Sequence, residues 1–301
     1  RVDLYNVNNT EKSFNNPYCG DGAANNGRLS KVHDRTREYR FTQELTWAHD
    51  FDKHHIDVLL AHESFKHSYN YDFMMKEQMK VSGNTEMSNF AKMTSIDGYN
   101  QEYTTESYLS RARYNFAERY FLDASFRRDG SSRFSDPWGN FWSLGASWII
   151  SQEKFMKDLT WIDNLKFRIG YGLAGNQSGI DSYTTLSLVK PNGVIPVGNS
   201  AAVSLGDLRN TNPDLKWEVK HTFNTGIDLA MFGNRLLLSA NYYNSKTTDM
   251  LYLYNVSVPP FTYNTLLANI GSMRNSGLEI AIGITPLKTQ DMELNINANI
   301  T

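Results

Sequence analysis

The sequence predicts an all-β fold, a run of antiparallel strands from a transmembrane β-barrel, and three observations carry that prediction. Apolar side chains recur at every second residue in segment after segment, the period of a strand and not of a helix. The chain is polar on average, with a mean hydropathy of −0.51, although 13% of its residues are aromatic. One wet face and one apolar face per strand produce that combination. The connections between alternating segments are by turns short and long, as in membrane barrels with short periplasmic turns and long extracellular loops.

Taken in order, Tyr39, Phe41, Leu45 and Trp47 open a first alternation, followed by Ile56, Val58 and Leu60 beyond a short turn at Asp52–His55. A long connection is expected from about Tyr71 to Thr104. Past the short turn Ala117–Arg119, the residues Tyr120, Leu122, Ala124 and Phe126 alternate with polar ones, and the longer Asp129–Gly139 follows. Trp142, Leu144, Ala146, Trp148 and Ile150 form the next strand, and Ser151–Asp163 leads to Leu165, Phe167, Ile169 and Tyr171. A very long loop, Leu173–Asp214, is expected before the most regular segment. There the odd positions from Leu215 to Met231 are mostly large and apolar while the even positions are not. Short turns are expected at Phe232–Arg235 and Pro286–Asp291, and a long loop at Lys246–Asn275. Alternation then resumes with Leu278, Ile280, Ile282 and Ile284, and again from Met292 to Ile300. About ten or eleven strands fit. Val219, Phe223, Ile227, Ile280, Ile282 and Leu294 are expected to face lipid, with Trp142, Tyr171 and Trp217 at one headgroup boundary.

Composition excludes several functions. A net charge of −2 gives no global field for nucleic acid. The single Cys19, in NNPYCGDG, permits neither an intrachain disulfide nor a thiolate metal cluster. Adjacent residues of a strand point to opposite faces, so His54 and His55 do not converge on one metal ion. GLAGNQSG, from Gly172, lacks the Lys-Ser/Thr ending of a phosphate loop. No nucleophile elbow is present, so neither a catalytic site nor a cofactor is expected. In RRDGSSRFSDPWG, from Arg127 to Gly139, Asp129-Gly130 is the turn signal. Arg128, Asp129, Gly130 and Arg133 are therefore expected in an extracellular rim hairpin.

Five stretches carry a family resemblance: RYNFAERYFLDASFRRDGSSRF, WGNFWSLGASWIISQEKFM, LKFRIGYGLAGNQSG, NPDLKWE and NSGLEI. In this order they resemble the SusC/RagA family of TonB-dependent outer-membrane transporters, most strongly over residues 108–285. Trp142 stands where that family is expected to carry Pro. The resemblance implies about half of a 22-stranded barrel, whose lumen is plugged in the complete protein. It implies uptake of oligosaccharides or peptides, driven by TonB–ExbB–ExbD, under a SusD-like surface lipoprotein, in a barrel bathed by outer-membrane lipid. Residues 1–301 would be part of one barrel domain, the C-terminal half, with the plug outside this chain. In such a barrel Lys166, Arg168, Lys216, Glu218, Lys220 and Asp228, on the polar phase, are expected to face the lumen and hold the plug. Tyr252, Tyr254, Phe261 and Tyr263, in a long loop, are expected to touch substrate or the lid. A passive porin, a siderophore-type receptor without a lid and a surface adhesin are the alternatives.

Overall fold

The computed structural model describes residues 1–197 and 200–301. Gly198 and Asn199, inside the connection expected at Leu173–Asp214, lie outside the described residues. The strands are β1 (Val2–Asn15), β2 (Arg28–Phe51), β3 (His54–Met79), β4 (Phe90–Phe116), β5 (Tyr120–Ser131), β6 (Trp138–Ile149), β7 (Ile162–Asn176), β8 (Val189–Val197), β9 (Ser200–Asp207), β10 (Glu218–Met231), β11 (Leu236–Thr248), β12 (Leu251–Asn255), β13 (Thr265–Asn269), β14 (Ser272–Lys288) and β15 (Glu293–Ile300). A five-residue helix, α1 (Gly20–Ala24), follows Cys19. Eleven strands form one sheet in the order β1-β2-β3-β4-β5-β6-β7-β10-β11-β14-β15, while β8-β9 and β12-β13 are separate hairpins. Two compact units are present: residues 1–42 with 63–106, and residues 43–62 with 107–301.

In the second unit the registers build a continuous apolar face. Tyr120 lies opposite Trp148, Trp148 opposite Phe167, and Phe167 opposite Ile227. The row continues through Ala240 and Ile280 to Ile300. Seven consecutive strands thus place an apolar side chain at the same level, and none places a charge there. Leu122, Leu144 and Leu278 on this face are 54%, 57% and 53% exposed. Water-soluble monomers rarely expose an apolar surface of such extent, whereas a hydrocarbon-facing sheet requires it. Phe223, Ile227, Ile280, Ile282 and Leu294 all belong to this face, as their parity predicts. The next row, on the other side, reads Phe121, Ser147, Arg168, Gly226, Asn241 and Glu279.

Four boundaries differ from the expectations. The long connection at Tyr71–Thr104 is mostly strand, because β3 runs to Met79 and β4 starts at Phe90. The apolar parity of β3 switches ahead of it, from even (Ile56, Val58, Leu60) to odd (Phe65, Tyr69, Tyr71), so a single-phase pattern ends while the strand does not. The regular segment from Leu215 begins as a strand only at Glu218. Leu215 and Trp217 instead tuck into a cluster with Phe134, Phe141 and Ile180, and Val219 packs against it. Trp217 is therefore a core residue, 8% exposed, and not the boundary residue expected, whereas Trp142 is 41% exposed. Asp129 and Gly130 lie within β5, paired with Gly139 and Trp138, so the turn is at 132–137. The two long loops carry the β8-β9 and β12-β13 hairpins.

The turn after β6 is closed by Glu153. Its carboxylate accepts the Tyr120 hydroxyl at 2.6 Å and the Trp148 indole N–H at 3.2 Å, with Arg119 3.7 Å away. The Tyr120 hydrogen bond, then the Trp148 one, holds the Glu153 carboxyl below its ordinary value of 4.5. A depressed carboxylate stabilises the fold above its unfolded pKa and loses that contribution as pH falls through the folded pKa. Acid titration of the full-length protein should therefore show wild type losing thermal stability below pH 4.5 more steeply than Glu153→Gln. Parallel acid limbs would show that this carboxylate contributes nothing. Lysine at Ile280, in the middle of the seven-strand row, should cost about 2–4 kcal/mol and impair heat-resistant assembly. Ala281→Lys, on the polar side, should be tolerated, and equal behaviour of the two would invert the assigned faces.

Candidate functional site

Two features of the second unit could serve a ligand or a partner: the polar face of the sheet, and the loop assembly beside the ends of β6, β7 and β10. On the polar face, Arg168 of β7 reaches across two strands. Its Nε and Nη2 donate to Asp228 of β10 at 2.7 and 2.8 Å, and Nη2 also donates to Asn241 of β11 at 2.7 Å. Asp228 further accepts the Ser239 hydroxyl at 2.8 Å. Gly226 makes the longer reach possible. It pairs with both Arg168 and Asn241, and a Cβ there would collide with the Asn241 side chain. Lys166 lies on the same side with its ammonium 5.6 Å from the Phe121 ring centre. In the neighbouring strands Asp123 accepts Arg111 at 2.6 Å and lies 3.5 Å from Arg113.

The expected polar-phase residues thus separate into two groups. Lys166, Arg168 and Asp228 lie on the sheet, and Lys220 is an exposed residue of β10. Lys216 precedes the strand, pairs with Asp249 at 2.9 Å and is clasped through its backbone by Asn269. Glu218 accepts the Asn176 side chain and the Leu251 N–H, both at 3.2 Å, and so ties β12 to the start of β10.

The loop assembly is organised by the Phe134, Phe141, Ile180, Leu215 and Trp217 cluster. The Trp217 indole N–H donates to the Pro137 carbonyl at 3.1 Å, and its ring lies 5.0 Å from Phe134 and 5.6 Å from Phe141. A Cβ at Gly139 or Gly175 would run into the Phe141 ring, so these glycines create its place. Asn210 donates to the carbonyls of Tyr263 and Thr265 at 2.6 and 2.8 Å and accepts the N–H groups of Thr262 and Tyr263. Sequence reasoning missed Asn210, Asn212 and Asn269. For Asn210 and Asn212 the one signal is the repeated Asn in RNTNPD, since side-chain amides are suited to pairing with loop backbone; Asn269, in TLLANIG, carries no such repeat.

The four loop aromatics are not equivalent. Tyr252 is 62% exposed and Phe261 37%, and Tyr254 is half-buried. Tyr263 is committed to the loop itself: its hydroxyl donates to the Asp207 carbonyl at 2.5 Å, and the Lys190 ammonium lies 5.7 Å from its ring centre. In the β5-β6 hairpin, Arg127 and not Arg128 pairs with Asp129, at 2.6 Å. Arg128 lies over the Trp138 ring, 4.8 Å from its centre. The carbonyl of Arg133 accepts the Thr185 hydroxyl at 3.2 Å. Valine at Gly226 should displace Asn241, disrupt the Arg168 bridge and cost about 1–3 kcal/mol. Denaturant unfolding of the assembled protein would check this, and unchanged stability would show that the bridge contributes nothing.

The comparisons with known proteins agree with this geometry. Residues 2–301 match the family model "TonB dependent receptor-like, beta-barrel". TonB-dependent receptor P39 of Formosa agariphila is 41% identical over 188 residues, 61% of this chain and 17% of that protein. TonB-dependent receptor SusC of Bacteroides thetaiotaomicron is 34% identical over 216 residues, 70% of this chain and 21% of that protein. The chain therefore spans about a fifth of the length of these curated relatives. The solved RagAB peptide transporter superposes with a TM-score of 0.81 at 26% identity, covering 99% of this chain and 33% of that one. By its matched residues, its sheet and its SusC and RagA relatives, the chain belongs to the TonB-dependent receptor-like β-barrel family of the bacterial outer membrane.

Proposed function

We propose that residues 1–301 form part of a single barrel domain, about half of it, in a TonB-dependent transporter that imports oligosaccharides or peptides together with a SusD-like surface lipoprotein. The observation that carries this reading is the seven-strand apolar row backed by a polar face, in a chain whose whole length matches the receptor barrel. The remaining strands would complete the hydrogen bonding that hydrocarbon demands. A plug contributed by another part of the protein would rest on the polar face, where Lys166, Arg168, Lys220 and Asp228 offer charged and hydrogen-bonding partners. Lys216 and Glu218 would act at the rim by holding the loop assembly. TonB–ExbB–ExbD would supply the energy through the plug.

The loops would take the extracellular side. Tyr252 and Phe261 are available there for the lid or for cargo, with Tyr254 beside them, while Tyr263 positions the hairpin that carries them. The hairpin of Arg128, Asp129, Gly130 and Arg133 would form the outer rim. No chemical transformation is assigned to the chain.

The full-length protein, tagged in its own bacterium, should purify from the outer membrane with a surface lipoprotein, and uptake of its cargo should cease when TonB is deleted. Uptake that survives loss of TonB would make it a passive porin. TonB-dependent uptake by a protein isolated without a lipoprotein would make it a receptor of the siderophore type, without a lid.

A further inference from the structure

The first unit, residues 1–42 and 63–106, holds a set of rings that no role has yet been given. Along β3 the large apolar residues change from even positions (Ile56, Val58, Leu60) to odd ones (Phe65, Tyr69, Tyr71), with His67 among the latter. These odd side chains meet rings from β4. Tyr103 lies 5.8 Å from Phe65 and 5.0 Å from His67, and Tyr99 lies 6.1 Å from Tyr69 and 5.2 Å from Tyr71. The even positions of β3 are polar. Lys66 pairs with Glu102 at 3.2 Å, Ser68 donates to the same carboxylate at 3.1 Å, and Asn70 bonds Asn100 and Arg37. The unit therefore carries one charged face and one aromatic face.

The aromatic face is also furnished with polar groups. Glu38 meets the His67 ring nitrogen at 3.0 Å, and the Arg40 guanidinium lies 5.3 Å from the Phe65 ring centre. Four of the six rings are tyrosines, each with a hydroxyl at the edge of an apolar plane. Tyr99 is 47% exposed. Rings at alternate residues of one strand repeat about every 6.6–6.8 Å, so a linear ligand with a repeating apolar face would meet successive rings.

We propose that this face is a binding platform for a linear oligosaccharide. A pyranose presents an apolar C–H face surrounded by hydroxyls, the complement of a tyrosine ring edged by hydrogen-bonding groups. Glu38 and Arg40 supply an acceptor and donors for sugar hydroxyls beside the rings. A peptide is the weaker fit. Extended peptides bind sheets chiefly by adding to an open edge, and β2, β3 and β4 each have a sheet neighbour on both sides. The platform rests on the transporter reading only in naming the glycan as cargo.

The test is calorimetry of the full-length protein in detergent against a panel of malto-, xylo-, manno- and laminari-hexaose, with tryptic casein peptides as the competing class. Wild type should bind at least one glycan. Removing a ring by Tyr99→Ala or Tyr103→Ala should weaken binding about tenfold. Tyr99→Phe, which keeps the ring, should retain most of the affinity, and the heat-shifted mobility of all variants shows that they are folded. A wild type that binds none of the glycans, binds only the peptides, or loses nothing on ring removal overturns the platform. Ring-dependent binding with uptake indifferent to TonB leaves the platform standing and overturns the transporter reading instead.

Discussion

Everything in the second unit depends on one constraint: backbone N–H and C=O groups placed in hydrocarbon must be paired within the protein. Strands satisfy it only in register, and register has a side-chain consequence. A slip of one residue turns every side chain of a strand to the other face. The row from Tyr120 to Ile300 holds because six successive pairings keep the same parity. The hydrogen bonding fixes the faces, and the faces in turn penalise any other register. A polar row displaced into lipid would cost far more than the hydrogen bonds of a shifted ladder could recover.

The polar face reinforces the same register by different means. Arg168 binds Asp228 and Asn241 on the two strands that follow β7 in the sheet, so a slip on either side breaks the bridge. That geometry needs a missing side chain in between, which Gly226 provides. Glycine in a strand interior is intrinsically unfavourable. Here it removes an obstacle between two partners and lets a single guanidinium tie three strands. At the loop end Gly139 and Gly175 do the same for the Phe141 ring. In both places the sequence gives up local strand propensity for a long-range contact.

This is also why the sequence was readable in some places and not in others. Alternation located β5, β6, β7, β10, β14 and β15, because those strands have one apolar and one polar side over most of their length, and β11 was bracketed by the connections expected on either side of it. It failed in β3 and β4, where Phe65, Tyr69 and Tyr71 take the opposite parity to Ile56 and Val58 and the change resembles the end of a strand. It overreached at Leu215 and Trp217, whose spacing continues the β10 pattern although they fill a loop core. Periodicity reports which side chains avoid water; it does not distinguish lipid from a buried cluster. The Asp129-Gly130 signal failed for a related reason. The Gly130 Cα lies so close to Trp138 that an added Cβ would sit 2.9 Å from its ring, so that glycine serves packing, not the turn. The clasp of Asn210 was hidden because its partners, Thr262 to Thr265, lie more than fifty residues away.

The loop assembly carries the same logic beyond the sheet. Away from hydrocarbon, water could satisfy the loop backbone, and nothing would oblige these segments to adopt one conformation. Asn210, Asn212 and Asn269 replace that water with side-chain amides aimed at particular carbonyls of the β12-β13 region. Trp217, Phe134 and Phe141 give the arrangement an apolar centre. Ordering a long loop costs roughly 1–2 kcal/mol per residue in backbone entropy, a cost that a flexible loop meets only when it binds. A loop already ordered by its own amides and core has met it in folding. Any surface it presents, Tyr252 and Phe261 among its exposed residues, is then offered to a partner with less entropy left to lose. The contacts that look purely structural are for that reason part of whatever recognition these loops perform.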